Sequence, residues 1–467
     1  MNWEGRRLGS AQSSRPGSVG SNAPSAVSGT PLKHLSRNQL RFHQRAARDD
    51  ERSLSWPIIL LVLAGTVYNG ALALLNANGL RIELPAVIAS EFIILGSAAL
   101  MIFRTGLRPS DALPAALLAF FLINAVFVSL VNNGVYVEMA RNGAIIALFL
   151  MLGTRMNLRS LHRAFMIAGA VVAVILVIEF SSVSLYADLF APAAYFEQTR
   201  GIPPAEFDEQ GLFGNALGFD GRFFILKISN HRTSSLFLEQ VSLANFAAVL
   251  AIFLASMWKG VSLGQRGFLI TLIVFILITN NSRTALGIVL AAPMVYWLAP
   301  KLNRYTAVLV MPGVLIASYI VTLIMPPTNA DVLEGRLGLT MRTLADLDLA
   351  AIAGLKAENT PLFADSGFTY VIYASTILGM LSLWLFVSLV AAGWSANQKR
   401  VSLLLSWYLF SNLTVSGTSI FSIKTAALLW LLVGVVRRES EEAPEAARRP
   451  EQVIADPPPP RFRRRVA

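Results

Sequence analysis

The sequence predicts an all-α, polytopic membrane protein of about twelve transmembrane helices with two large outer loops. Three observations predict it. Of the 467 residues, 54% are hydrophobic and 14% are charged, where a typical soluble domain carries roughly 25% charged residues. The apolar residues gather in runs, and a helix crosses a bilayer with about 20 of them. The basic residues fall mostly on alternate connections between those runs, the pattern of the positive-inside rule. This composition excludes a soluble enzyme, a collagen-like chain and a wholly disordered one.

Residues 1–55 come first. They are rich in Ser, Gly, Pro, Asn and Arg, and a run such as Ser13 to Asn22 buries too little apolar surface to offset its ordering entropy. No apolar stretch precedes Trp56, so a disordered tail is expected rather than a secretory signal peptide. Residues 437–467 form a second polar tail, with Pro457 to Pro460 followed by Arg461, Arg463, Arg464 and Arg465. A stiff proline run with basic residues suits the cytoplasm near anionic lipid.

Between the tails, 56–436 reads as one membrane domain. Apolar runs place helices at 56–75, 84–103, 112–131, 136–154, 164–181, 236–256, 267–279, 284–299, 306–325, 367–391, 401–416 and 419–436. The seventh and eighth are short and meet at Asn280-Asn281-Ser282-Arg283. They read as two tilted spans or as a re-entrant hairpin, and both return the chain to the same side.

Twelve spans put both tails on one side. Short loops on that side carry Arg104, Arg108, Arg155, Arg159, Arg163, Lys259, Arg266, Lys301, Arg304, Lys399 and Arg400, while the other side carries Arg81, Arg141, Arg283 and Lys424. The bias places both termini in the cytoplasm of a bacterial inner-membrane protein. It also accounts for the net charge of +11 without a nucleic-acid partner. The two long connections, 182–235 and 326–366, then lie outside. Both exceed the length of an ordinary loop and read as functional. The first holds Tyr186, Phe190, Tyr195, Phe196, Phe207, Phe213, Phe219, Phe223 and Phe224, enough apolar surface to pack as a lid. In the second, Thr340 to Lys356 reads as a short interfacial helix with Leu344, Leu347 and Ile352 on its apolar side.

Cysteine is absent and the four histidines are scattered. A thiolate nucleophile, a disulfide framework and a histidine metal cluster are therefore not expected. The polar residues at the outer mouth are the informative ones. Arg232 ends the first long loop, and Glu239 follows seven residues later, on the same face if a helix continues back to Arg232. Arg283 sits at the outer junction of spans seven and eight, and Asp365 with Ser366 closes the second long loop. Guanidinium groups bind phosphate oxygens in bidentate fashion, so two facing one cavity suit a lipid pyrophosphate. A carboxylate at the same depth could act as general base for an incoming hydroxyl. The plain alternative is arginine snorkelling to headgroups. Arg141 and Lys424 could add positive charge to the cavity or snorkel, and His231 neighbours Arg232. Glu91 and Glu179 are intramembrane acids without a partner visible in the sequence.

These residues carry a resemblance. The run His231-Arg232-Thr233-Ser234-Ser235-Leu236-Phe237-Leu238-Glu239-Gln240 resembles the R-x-S-(G/S)-L-F-x-E-P start of a span in the O-antigen polymerase and ligase family (Wzy-like membrane glycosyltransferases). Thr279-Asn280-Asn281-Ser282-Arg283-Thr284-Ala285 resembles that family's S-R-(T/G)-(A/G) hairpin, and Asp365-Ser366-Gly367-Phe368 with Gly379 resembles its D-(S/N)-G-(Y/F) start after the large loop. The resemblance covers roughly 56–436 and is strongest from 230 to 380. It implies a GT-C-like, metal-independent glycosyltransferase architecture that needs no cofactor. Its donor and acceptor would be glycans on undecaprenyl pyrophosphate at the periplasmic face. By matched position, Arg232 and Arg283 would hold the donor pyrophosphate as leaving group, Asp365 would be the base or acceptor orienter, and Glu239 would orient Arg232.

Two departures matter. Ligases of the family have a histidine near the position of Asp365, and 326–366 contains none, which favours a polymerase. Gln240 stands where proline is usual. The expected function is therefore polymerisation of lipid-linked repeat units into exopolysaccharide or O-antigen, with room for a chain-length regulator or flippase as partner. The competing readings are an O-antigen-type ligase, and a secondary transporter or lipid-linked sugar flippase. Transporters commonly show internal repeats and mid-depth sites, and neither is evident in the sequence.

Overall fold

The computed structural model describes residues 37–203, 212, 231–325, 332–415 and 417–442, with side chains from 54 to 438. The chain divides into two units, 1–50 and 51–467. In the first, residues 37–50 are helical. The tails as expected, and Phe207, Phe213, Phe219, Phe223 and Phe224, lie largely or wholly outside the described residues.

The second unit is built of helices joined by turns and loops, with no strand among its described residues. Its elements are α1 (Leu54–Ala77), α2 (Leu84–Thr105), α3 (Ala112–Val131), α4 (Glu138–Gly153), α5 (Leu158–Ser181), α6 (Val183–Phe190), α7 (Pro192–Arg200) and α8 (Gln240–Met257). Then follow α9 (Leu263–Asn280), α10 (Arg283–Leu298), α11 (Val310–Ile324), α12 (Leu333–Ala345), α13 (Leu349–Ile352), α14 (Gly367–Leu389), α15 (Ala396–Val415) and α16 (Ile423–Glu442). Among the described residues, nine helices are long and apolar enough to cross a membrane: α1, α2, α3, α5, α8, α9, α10, α11 and α14, where adjoining 3-10 turns lengthen α3 to Pro109–Val131, α8 to Gln240–Gly260, α10 to Arg283–Lys301 and α11 to Thr306–Ile324. The protein is a polytopic, membrane-embedded helical bundle. The three other expected spans, α4, α15 and α16, are helices as well. α4 has 16 residues, and α15 and α16 carry Lys399, Arg400, Lys424, Arg437 and Arg438.

Those three are among the most enclosed helices. Most of α4 and the apolar part of α16 are buried, so their polar residues face protein rather than lipid. α4 and α16 cross where Gly153 meets Gly434: a Cβ on Gly434 would stand 2.1 Å from the Leu150 carbonyl oxygen, and one on Gly153 2.3 Å from that of Leu431. Small residues permit this backbone approach, the usual way membrane helices gain van der Waals contact. α8 completes the centre, with all but one of its 18 residues buried. The rim is different: α2 and α11 expose Phe92, Ile93, Phe103, Leu323 and Ile324, the apolar surface that lipid covers.

Beside the C-terminal turn of α2, Arg155 and Asp111 form a wholly buried pair, Nη2 to Oδ2 at 2.7 Å and Nη1 to Oδ1 at 3.0 Å. Arg155 also donates to the Thr105 hydroxyl and to the carbonyls of Gly106 and Met151, each at 2.7 Å. A residue expected among the loop cations is thus an internal clamp between α2, α3 and α4.

Two expected elements are corrected. The helix of the sixth span does not continue back to Arg232. It begins at Gln240, because Ser235 and Leu238 take positive φ values of 49° and 61°, a conformation no α-helix propagates through. The expected helix Thr340 to Lys356 is also broken: α12 ends at Ala345, and Asp348 caps a separate turn, α13, by accepting from the Ala351 amide at 2.8 Å. Leu344 and Leu347 still pack against the core. The seventh and eighth runs form two separate helices of crossing length.

Candidate functional site

Helices meeting at one end of the bundle enclose a cavity of about 740 Å³. Seven helices contribute residues from or beside their N-termini: Leu84 of α2, Arg141 of α4, Gln240 of α8, Arg283 of α10, Leu333 of α12, Asp365 ahead of α14 and Lys424 of α16. Each N-terminus carries partial positive charge from its unpaired amides. Among the described lining residues, six are cationic (Arg141, Arg200, Arg232, Arg283, Arg336 and Lys424) and three acidic (Glu91, Glu239 and Asp365). The cavity is therefore electropositive, and anions are its natural ligands.

Arg232 and Arg283 are brought together by hydrogen bonds between their two segments. The Asn280 side chain donates to the Thr233 carbonyl at 2.6 Å and to the Gln240 carbonyl at 2.8 Å. The Thr233 and Thr279 hydroxyls meet at 2.8 Å, and Arg232 Nε donates to the Asn280 carbonyl at 2.8 Å. Asn281 turns the chain in the left-handed region at φ 56°, and Ser282 caps α10 through the Ala285 amide. Arg283 then opens α10, beside that helix's positive end.

The turn before α8 is held from below. The buried Glu179 carboxylate accepts from the amides of Ser234 and Ser235, at 3.0 and 2.6 Å. The partner absent from the sequence reading is thus backbone. Gly70 of α1 lies directly under this turn: a Cβ there would stand 2.6 Å from the Leu236 carbonyl oxygen. Non-glycine residues at positive φ persist only where surroundings over-determine them, and here a carboxylate, a glycine contact and the core all do so.

The described part of the first loop packs over this turn. Tyr186, Phe190, Tyr195 and Phe196 form a small apolar core with Ala73, Ile82, Leu212 and Leu238, as expected of a lid. The Tyr186 hydroxyl donates to the Ser235 carbonyl at 2.8 Å, and that of Tyr195 to Asn69 Oδ1 at 2.6 Å. Burial pushes the Tyr195 phenol well above its usual range, so it stays a neutral donor.

Glu239 sits between two cations. Its Oε2 is 2.9 Å from Lys424 Nζ, its Oε1 pairs with Arg200, and Ser242 donates to it at 2.8 Å. The assignment of Glu239 as the orienter of Arg232 is corrected: its ion-pair partners are Arg200 and Lys424. Burial opposes its ionisation, but the Lys424 ammonium and the Arg200 guanidinium outweigh that and hold its carboxyl well below the usual range. Lys424, 4% exposed, is therefore an internal charge partner and does not snorkel. Arg141 pairs with Glu91, Nη2 to Oε2 at 2.6 Å, and the Tyr68 hydroxyl donates to Glu91 Oε1 at 2.6 Å.

Asp365 stands on the far wall, its side chain 72% exposed and its Oδ1 3.7 Å from Arg336 Nη1. Its neighbour Ser366 is buried and bonds Thr343 and Thr369 at 2.9 Å, which fixes the start of α14. The cavity thus gathers six of the seven expected site residues: Asp365, Arg283, Arg232, Glu239, Arg141 and Lys424. His231 is not on its wall. It is buried behind Arg232, with Nε2 3.9 Å from Glu179.

Sequence reasoning missed Arg200, Arg336, Tyr68 and Tyr195. The first two lie in the long loops, where helical spacing of apolar residues (Tyr195-Phe196 before Arg200, Leu333 and Leu337 around Arg336) is the signal that places them on short helices. Tyr68 carries no local signal beyond a lone hydroxyl in an apolar run. No protein-family model, curated protein or solved structure matches the chain at a significant level.

Proposed function

We propose that the protein is a membrane glycosyltransferase that polymerises undecaprenyl-pyrophosphate-linked oligosaccharide repeat units at the periplasmic face of a bacterial inner membrane. The product would be an exopolysaccharide or O-antigen. The proposal includes twelve spans, cytoplasmic termini and a GT-C-like architecture. One observation carries it: Arg232, Arg283 and Asp365, each from a segment resembling a polysaccharide-polymerase motif, line one electropositive cavity.

In this reading a hydroxyl of the acceptor glycan attacks the anomeric carbon of the donor glycan. The carbon–oxygen bond to pyrophosphate breaks, and the polyprenyl pyrophosphate leaves with the electron pair. Arg232, Arg283 and the N-terminus of α10 face the charge that develops on it, where preorganised donors lower a barrier most. The Asp365 carboxylate takes the hydroxyl proton and passes it to water, its exposure keeping that path open.

The test is mass spectrometry of undecaprenyl-linked glycans from cells lacking the protein, complemented with Arg232→Ala or Arg283→Ala. The expected result is single repeat units stranded on the lipid with no polymer, in the deletion and in both variants. Long lipid-linked chains in the deletion would point to a ligase, and an unchanged profile would refute the assignment.

A further inference from the structure

The cavity has a second polar cluster, contributed by α1, α2 and α4. Arg141 of α4 donates through Nε and Nη2 to Glu91 Oε2 of α2, at 2.7 and 2.6 Å. Tyr68 of α1 donates to the other carboxylate oxygen at 2.6 Å. The Arg141 side chain remains 40% exposed, and its Nη1 reaches Asn142 at 3.3 Å. Asn69, Tyr195 and Tyr370 line the same region.

The charge arithmetic separates this cluster from the rest. The Glu91 carboxylate cancels the Arg141 guanidinium locally, and a phosphate placed against the pair would meet a carboxylate at hydrogen-bonding distance. Like charges so close repel strongly in a partly desolvated site. A neutral polyhydroxyl ligand meets no such penalty: the carboxylate oxygens and the Tyr68 phenol oxygen accept from hydroxyls, the guanidinium donates to them, and the half-buried Tyr370 ring offers an apolar face to sugar C–H groups. Apolar Leu84, Val87 and Ile88 of α2 also line the cavity.

We infer that Tyr68, Glu91 and Arg141 form a sugar-binding subsite of the cavity, one that positions a glycan by its hydroxyls while the pyrophosphate is held elsewhere. The inference rests on the polymerase reading and adds to it the place where sugar is recognised. A merely structural triad tying α1, α2 and α4 together would leave substrate affinity untouched, and this difference makes the test.

Purified full-length protein in lipid nanodiscs would be given lipid-linked chains as donor and labelled lipid-linked single units as acceptor, each titrated separately. Tyr68→Phe and Glu91→Gln are expected to raise one KM at least tenfold with kcat within about threefold, and the substrate whose KM rises identifies the glycan held. Inorganic pyrophosphate, the probe for the anion end, is expected to inhibit both variants as it does the native protein, and its binding, followed by calorimetry, is expected to be lost in Arg232→Ala and Arg283→Ala. Unchanged KM values for both substrates in Tyr68→Phe, the conservative variant, overturn the subsite. Weaker pyrophosphate inhibition in Tyr68→Phe overturns the separation of the two ends. Full polymer from Arg232→Ala and Arg283→Ala would instead strike the polymerase reading, leaving the two failures distinguishable.

Discussion

Replacing Glu239 with Gln should destabilise the protein through Lys424. The Lys424 side chain is 4% exposed, and its remaining polar neighbour is the Phe237 carbonyl at 3.4 Å. Stripping one partner from a fully buried ion pair costs about 3–5 kcal/mol. Glu239 is itself 27% exposed, so water screens part of the loss, and we expect about 2–3 kcal/mol. Lys424→Met should cost less, about 1 kcal/mol, because Glu239 keeps Arg200, Ser242 and some solvent. Once Lys424 is Met, the carboxylate has no buried cation to compensate. The double variant should therefore recover about 1.5–2 kcal/mol relative to the sum of the single changes. The assay is SDS titration of the purified protein in mixed micelles, followed by the fluorescence of its eight tryptophans. Additivity within about 0.5 kcal/mol would refute the idea that Glu239 is present to neutralise Lys424.

Three further outcomes are expected. Asp365→Asn should lower kcat by about 10²–10⁴-fold, the usual contribution of a positioned base, with folding unchanged because the side chain is largely exposed; initial rates on lipid-linked repeat units measure this. Arg155→Ala should lose about 3–5 kcal/mol, since it leaves the buried Asp111 without its cation; the same SDS titration reads it, and a loss under 1 kcal/mol would contradict the clamp. Gly434→Val should cost about 1–3 kcal/mol or more by overpacking, because even its Cβ would collide with the Leu150 carbonyl; a stable variant would mean that α4 and α16 can separate freely.

Much of the fold was legible because hydropathy is a local sum. Runs such as Ile58 to Leu75 or Val310 to Ile324 must leave water whatever surrounds them, and each lies within a helix. Helix ends were less legible. The start of α8 at Gln240 depends on positive φ at Ser235 and Leu238, residues whose own preferences oppose it. The conformation comes from Glu179, 55 residues away, accepting from the Ser234 amide. The break between α12 and α13 did have a local signature in Asp348, an N-cap residue, inside the stretch read as one helix.

The candidate site divides along the same line. By itself the sequence grouped Arg232, Glu239, Arg283 and Asp365 at one end of the spans, because depth follows from counting residues along them, and all four line one cavity. Only the tertiary structure decided who pairs with whom. Glu239 meets Lys424 across 185 residues, Tyr195 reaches Asn69 across 126, and Arg141 finds Glu91 across 50. Coulombic and hydrogen-bonding energies depend on distances of a few ångström between helices, and no span of sequence encodes those distances until the helices have packed.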